Sequence, residues 1–207
     1  MSVEHRPAFY ALAQGGWRDY VTLLHLPYTL WHLSYVAIGA ALVPELDAER
    51  LLWGLAAFAL ALGVGAHALD ELHGRPLHTA IPRLVLVWLA ISSLVAAVAI
   101  GIGAALAWTL WLLPFVAVGA FLVPAYALEL MGGVFHTDLW FGLAWGAFPV
   151  LVAYLGAAET LRPSGMARVA GERVDVVTEG EYVAVGSGVE VIRSDGYRHV
   201  VRVAQAG

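Results

Sequence analysis

The chain has 207 residues, 60% hydrophobic and 13% charged, with a formal net charge of −5 and a mean hydropathy of +0.76. Soluble domains are about 25% charged, so this composition suits a bilayer, and the negative balance gives no electrostatic footprint for nucleic acid. There is no cysteine and all 11 basic residues are arginine, which excludes disulfides, thiolate metal sites, thiol catalysis, lysine Schiff bases and a P-loop lysine.

Residues 1–22 are mixed, and Tyr10, Trp17 and Tyr20 with Arg6 and Arg18 suggest an interfacial segment. No apolar core with a small-residue cleavage site precedes them, so no signal peptide is expected. Five apolar spans follow, at 24–44, 51–72, 83–104, 107–128 and 139–158, each near the roughly 20 residues that a bilayer requires. The apolar stretch 83–128 is too long for one span, and Gly101-Ile-Gly103 is the expected turn. The tryptophans read as an interfacial belt. Small residues at Ala61, Gly65, Gly101 and Ala105 permit close helix contacts, either inside one chain or in a homo-oligomer.

Arginine sets the expected orientation. Arg6 and Arg18 precede span 1, Arg75 and Arg83 lie between spans 2 and 3, and the 45–50 loop is net acidic. The positive-inside rule then predicts a multi-pass cell-membrane protein with a cytoplasmic N-terminus. The 73–83 and 129–138 loops fall on that same face. Five spans place the tail on the other face, whereas Arg162, Arg168 and Arg173 pull it back, so its side stays open.

After Leu161-Arg-Pro-Ser-Gly165 the period changes to two. Strands are predicted near 166–170, 173–178, 182–185, 189–193 and 197–203, with Asp195-Gly196 as a hairpin turn. Five short strands suit a small barrel of the OB type. The expected fold class is an α-helical integral membrane protein of about five transmembrane helices (1–160) with a small C-terminal all-β OB-like barrel (161–207).

The chemistry gathers at Gly65-Val-Gly-Ala-His-Ala-Leu-Asp-Glu-Leu-His-Gly-Arg-Pro-Leu-His78. On a helix, 67 to 70, 67 to 71 and 70 to 73 are one-turn spacings, so His67, Asp70, Glu71 and His73 share a face. Ionisable groups at that depth either pair or act, though a solvated helix end is the plain alternative. His67, Asp70 and Glu71 are the candidate metal ligands. His73 joins His136 and Asp138 of the other loop as candidate acid–base or ligating groups. Arg75 is a candidate anion contact, although it also satisfies the positive-inside rule unaided. His25 and His32 share a face of span 1 and read either as further ligands or as packed interhelical histidines.

Three stretches resemble the UbiA superfamily of intramembrane prenyltransferases: His25-Leu-Pro-Tyr-Thr-Leu-Trp-His-Leu-Ser-Tyr-Val-Ala-Ile-Gly39, span 2 running into Asp70 and Arg75-Pro76, and Gly146-Ala-Phe-Pro149 with Tyr154. The resemblance implies a pocket for an isoprenoid or other lipid-like substrate, with Tyr126 as a substrate contact. In the family, two Asp-rich motifs hold Mg²⁺ against a diphosphate. Here Ala66, His67 and Gly74 stand at motif positions where the family has Asn or Asp, and the chain ends before the second motif. A divalent metal is therefore expected as Mg²⁺ by family pattern, or as Zn²⁺ or Fe²⁺ by the imidazole content.

The tail is similar to the C-terminal OB domain of NfeD-like proteins over about 160–204. It carries Gly171-Glu-Arg-Val-Asp-Val-Val-Thr-Glu-Gly180, Tyr182-Val-Ala-Val-Gly186 and the Val189-to-Val203 hairpin. This resemblance implies a partner of the stomatin or prohibitin type. Three functions follow from the sequence: a prenyltransferase-like protein acting on or binding a lipid, a non-catalytic membrane scaffold that docks a protein partner, or a His/Asp metal-dependent membrane hydrolase or oxidase.

Overall fold

The structure is a computed structural model that describes residues 8–43, 46–157, 164–181, 183–184, 186–196 and 198–204. The chain forms two compact units, 1–158 and 159–207. His5, Arg6, Glu45, Arg162 and the 160/161 boundary lie outside the described residues.

The first unit is helical: α1 (Trp17–Leu23), α2 (Leu26–Ala41), α3 (Ala48–Leu72), α4 (Arg83–Ala107), α5 (Leu112–Ala127) and α6 (Asp138–Ala157). A helix overlaps each of the five predicted segments. Three of them, α3, α4 and α6, are long and apolar enough to cross a membrane, while α5 is a shorter apolar helix. Side chains such as Leu84, Trp88, Leu106 and Trp111 stay more than 60% exposed, as expected for a lipid-facing surface.

The turn expected at Gly101–Gly103 does not exist. Helix α4 runs unbroken to Ala107, and the break comes at 108–111. Gly101 instead permits close packing, because a Cβ there would lie 2.7 Å from Val116 Cγ2 on α5. Gly65 likewise faces Leu94 and Ser93 of α4. Both glycines therefore serve packing inside the chain.

Two helices widen into π turns, α3 over Ala59–Ala66 and α6 over Gly142–Ala147. In α6, Pro149 has no N–H and its ring crowds the carbonyl of Trp145, which favours the wider turn there. In α3, Gly63 and Gly65 let the widened segment press against Thr29 and Leu94. A π segment rotates everything that follows it relative to a plain α-helix, and His67 is the next residue.

At one end of the helical unit, Asp47 caps α3 by accepting from the Glu49 and Arg50 amides at 2.8 and 3.2 Å. Arg50 pairs with Asp47 at 3.4 Å and lies over the Trp108 ring at 5.5 Å. Helices α2 and α6 pack closely against each other, sealed by Val36, Ala40, Val43, Ala153 and Ala157.

The second unit is a four-stranded sheet: β1 (Ser164–Val169), β2 (Glu172–Thr178), β3 (Val189–Asp195) and β4 (Arg198–Val203), in the order β1-β2-β4-β3. It is not a closed barrel, and no fifth strand forms among the described residues. Val183 and Ala184 are not in a strand, and Tyr182 and Val185 of that expected strand lie outside the described residues. The β1–β2 turn is Ala170-Gly171, both at positive φ as a tight hairpin of this hand requires. The second hairpin turns one residue later than expected, with Asp195 still paired to Arg198. The buried core is Val176, Val177, Val200 and Val201, along the short parallel β2–β4 pairing.

A Cβ on Gly39 would fall inside van der Waals contact of the Val150 carbonyl in the α2–α6 interface. Gly39→Ala is expected to cost about 1–3 kcal/mol by overpacking. Gly103→Ala meets no atom within 4 Å and should gain about 0.5–1 kcal/mol from helix propensity. Thermal unfolding of the two variants in detergent checks both signs.

Candidate functional site

The site is framed by a loop, 73–82, that two buried carboxylates hold in place. Glu71 is fully buried, and its carboxylate accepts from the Leu77 amide (3.0 Å), the Thr79 amide (2.7 Å) and the Thr79 hydroxyl (2.9 Å). Asp19 of α1 accepts from the Ala80 amide and from the Gly15 amide, each at 2.9 Å. Arg75 donates to the carbonyls of Thr79 and Ile81 at 2.7 and 3.0 Å. The loop thus turns tightly, with Arg75 and His78 at positive φ.

Next to this loop lies a cavity of about 410 Å³. His25, Tyr28 and His32 line it from the start of α2, and His67 and Asp70 from the end of α3. His73, Pro76 and Leu77 come from the first loop, Glu129 and His136 from the second, and Tyr126, Phe141 and Trp145 from α5 and α6. The two loops that the arginine pattern puts on one face do line one cavity. Trp145 also borders a separate apolar cavity of about 110 Å³, with Leu62, Phe115, Val123, Ala144 and Phe148.

Two of the histidines bond backbone carbonyls. His67 Nδ1 lies 3.2 Å from the Gly63 carbonyl, and His136 Nδ1 lies 3.1 Å from the Tyr126 carbonyl. A carbonyl only accepts, so each Nδ1 carries a proton. His32 Nε2 is buried without a hydrogen-bond partner. His25 Nδ1 is also buried and unpartnered. The His25 and His67 rings lie 4.8 Å apart, centroid to centroid, and His136 stacks on Tyr126 at 4.4 Å.

His25 takes a left-handed backbone (φ 48°, ψ 47°) between α1 and α2. Glu129 and Met131 do the same in the second loop, beside Gly132 and Gly133. Non-glycine residues in this region are strained, and such strain gathers at functional sites.

The structure brings together His67, Asp70, His73, Tyr126 and His136 of the expected site. It does not bring Glu71, Arg75 or Asp138 to the cavity. Glu71 was expected as a ligand, but its carboxylate is taken up by the loop amides. Arg75 was expected as an anion contact, but its guanidinium closes the loop. Asp138 sits exposed in the first turn of α6, behind the Thr137 cap. Among the described residues no group of three histidine or acidic side chains stands ready to hold a metal. Mg²⁺ in particular does not fit, because it requires several hard oxygens and the cavity offers mainly imidazole. Tyr28, Phe141 and Trp145 also line the cavity, and the sequence does not single them out. The Tyr28–His32 spacing of one turn was the available signal for the first of them.

Residues 150–202 match the family described as the NfeD-like C-terminal, partner-binding domain. No curated protein and no solved structure matches the chain. The tail's resemblance to NfeD-like proteins is thereby supported, whereas the UbiA resemblance of the helical unit gains no support from any family or relative.

Glu71→Ala would leave the buried Thr79 amide without its acceptor, which costs about 1–3 kcal/mol, and the half-buried Leu77 amide as well. The Leu77 and Thr79 amides should then exchange hydrogen far faster than in the parent chain. Glu71→Gln keeps one acceptor oxygen and should fall between the two. Hydrogen-exchange mass spectrometry over 73–82 checks this order.

Proposed function

We propose that the chain is a membrane-anchored docking protein: the helical unit embeds in the bilayer and the C-terminal sheet binds a protein partner. The match of residues 150–202 to a partner-binding domain carries this proposal. The sheet's form supports it. Strands β1 and β3 are its two edges, and exposed apolar side chains stand on them, Met166 on β1 and Val191 on β3. An open edge offers main-chain groups to an added strand, and flanking apolar side chains add specificity. A membrane protein of the stomatin or prohibitin type is the partner class proposed.

The test is co-purification of the full chain with a co-expressed stomatin-type protein from detergent-solubilised membranes. Met166→Asp and Val191→Asp, made separately, place a charge on each edge. At least one should lower recovery of the partner about ten-fold. No recovery by the parent chain, or full recovery by both variants, would overturn the docking role.

A second function rests on Trp145, which borders both the histidine-lined cavity and the apolar one. That juxtaposition suits an amphipathic molecule with its polar head among the histidines and its chain along Leu62, Val123 and Phe148. An isoprenoid or similar lipid is the proposed ligand, with His73 and His136 as the groups able to exchange a proton with it. Native mass spectrometry of the detergent-purified chain, with and without added isoprenoid alcohol, tests this. A His67→Ala, Asp70→Ala double variant should retain about ten-fold less bound lipid, and equal retention would count against a head-group site.

A further inference from the structure

We propose that the cavity of the helical unit contains a seat for a divalent first-row transition-metal ion, built on His25 and His67 and completed by Asp70 or His32. The seat differs from the core ligand set expected from sequence, because Glu71 is excluded and His25, one of the two alternative further ligands, is the partner of His67.

Four observations carry it. The His25 and His67 rings are 4.8 Å apart and tilted by 53°. Two imidazoles on one tetrahedral ion, with metal–nitrogen bonds of about 2.0–2.1 Å, hold their ring centres roughly 5 Å apart. Second, His67 gives its Nδ1 proton to the Gly63 carbonyl, the outer contact that commonly orients a ligating histidine and presents Nε2. Third, His32 is buried, lines the same cavity, and holds an Nε2 with no partner. A buried polar nitrogen left unmatched is costly, and a cation bound to it removes that cost. Fourth, Asp70 lies one turn beyond His67 and lines the same cavity, so it can supply one anionic oxygen from the same helix end.

Because the described residues hold no ready group of three, the third ligand arrives by a side-chain rotation of Asp70 or His32, and water fills the remaining positions. Imidazole with one carboxylate selects Zn²⁺, Fe²⁺, Co²⁺ or their neighbours over Mg²⁺ and Ca²⁺.

The test uses the full chain in detergent, treated with chelator, dialysed, and titrated with Co²⁺ while its visible absorption is followed. Zinc content after equilibration is measured in parallel. About one equivalent of tightly bound ion is expected. His25→Asn keeps a residue that tolerates the left-handed backbone, and His67→Gln can still donate to the Gly63 carbonyl. Each should weaken binding about ten-fold or more. His199→Gln should not, because His199 lies in the other unit, bonded to Ser194. If His67→Gln yields no monodisperse protein, His25→Asn and Asp70→Asn decide the matter together. Absence of Co²⁺ and Zn²⁺ binding by the parent chain, or parent-like binding by the variants, would overturn the proposal and leave a polar, water-filled cavity only. Metal binding and partner recovery are read on different units, so either can fail without the other.

Discussion

A single carboxylate, that of Glu71, organises the polar half of the helical unit. It is fully buried at the end of α3 and satisfies two amides and a hydroxyl of a loop six to eight residues further on. Buried backbone donors must find acceptors, and in an apolar environment this loop has few others. Asp19 performs the same service for Ala80 from α1. Together they tie the interfacial segment, the end of α3 and the start of α4 into one frame. His73, Pro76 and Leu77 hold their places at the cavity because that frame does not slide.

The second constraint is close approach between helices. Gly39 admits the α6 backbone, Gly63 admits Thr29, Gly65 admits Leu94 and Gly101 admits Val116. Without a hydrophobic driving force between helices in lipid, such approach is what holds a bundle together. It also sets the site. The π segment of α3 lies against these contacts and hands its altered rotation to His67 and Asp70. The π segment of α6 carries Trp145 to the point where the polar and apolar cavities meet.

The C-terminal unit works on a different scale. Four buried valines and a short parallel pairing hold an open sheet. Its alternating pattern was plain in the sequence, as was the second hairpin to within one residue. The expected closure was not obtained, since 183–184 form no strand. A small sheet with free edges is a poor solitary structure and a suitable surface for docking.

The sequence by itself determined the apolar segments, the two-part composition, the strand period of the tail and the cluster from His67 to His73, because these depend on spacing along one chain. Tertiary structure alone decided which members of the cluster face one another. Glu71 and His67 are a turn apart and look equivalent on a helical face, yet one carboxylate is consumed by loop amides that come from later residues. Arg75 is similarly drawn to two carbonyls of its own loop. His25 and His67 are 42 positions apart, and nothing in their spacing announces contact. The glycines at 101 and 103 look like a turn, but both lie inside a continuous helix, and at Gly101 a neighbour needs the room. Hydrogen-bond demand and close packing are properties of the assembled helices, so the site's final membership could only be read from the fold.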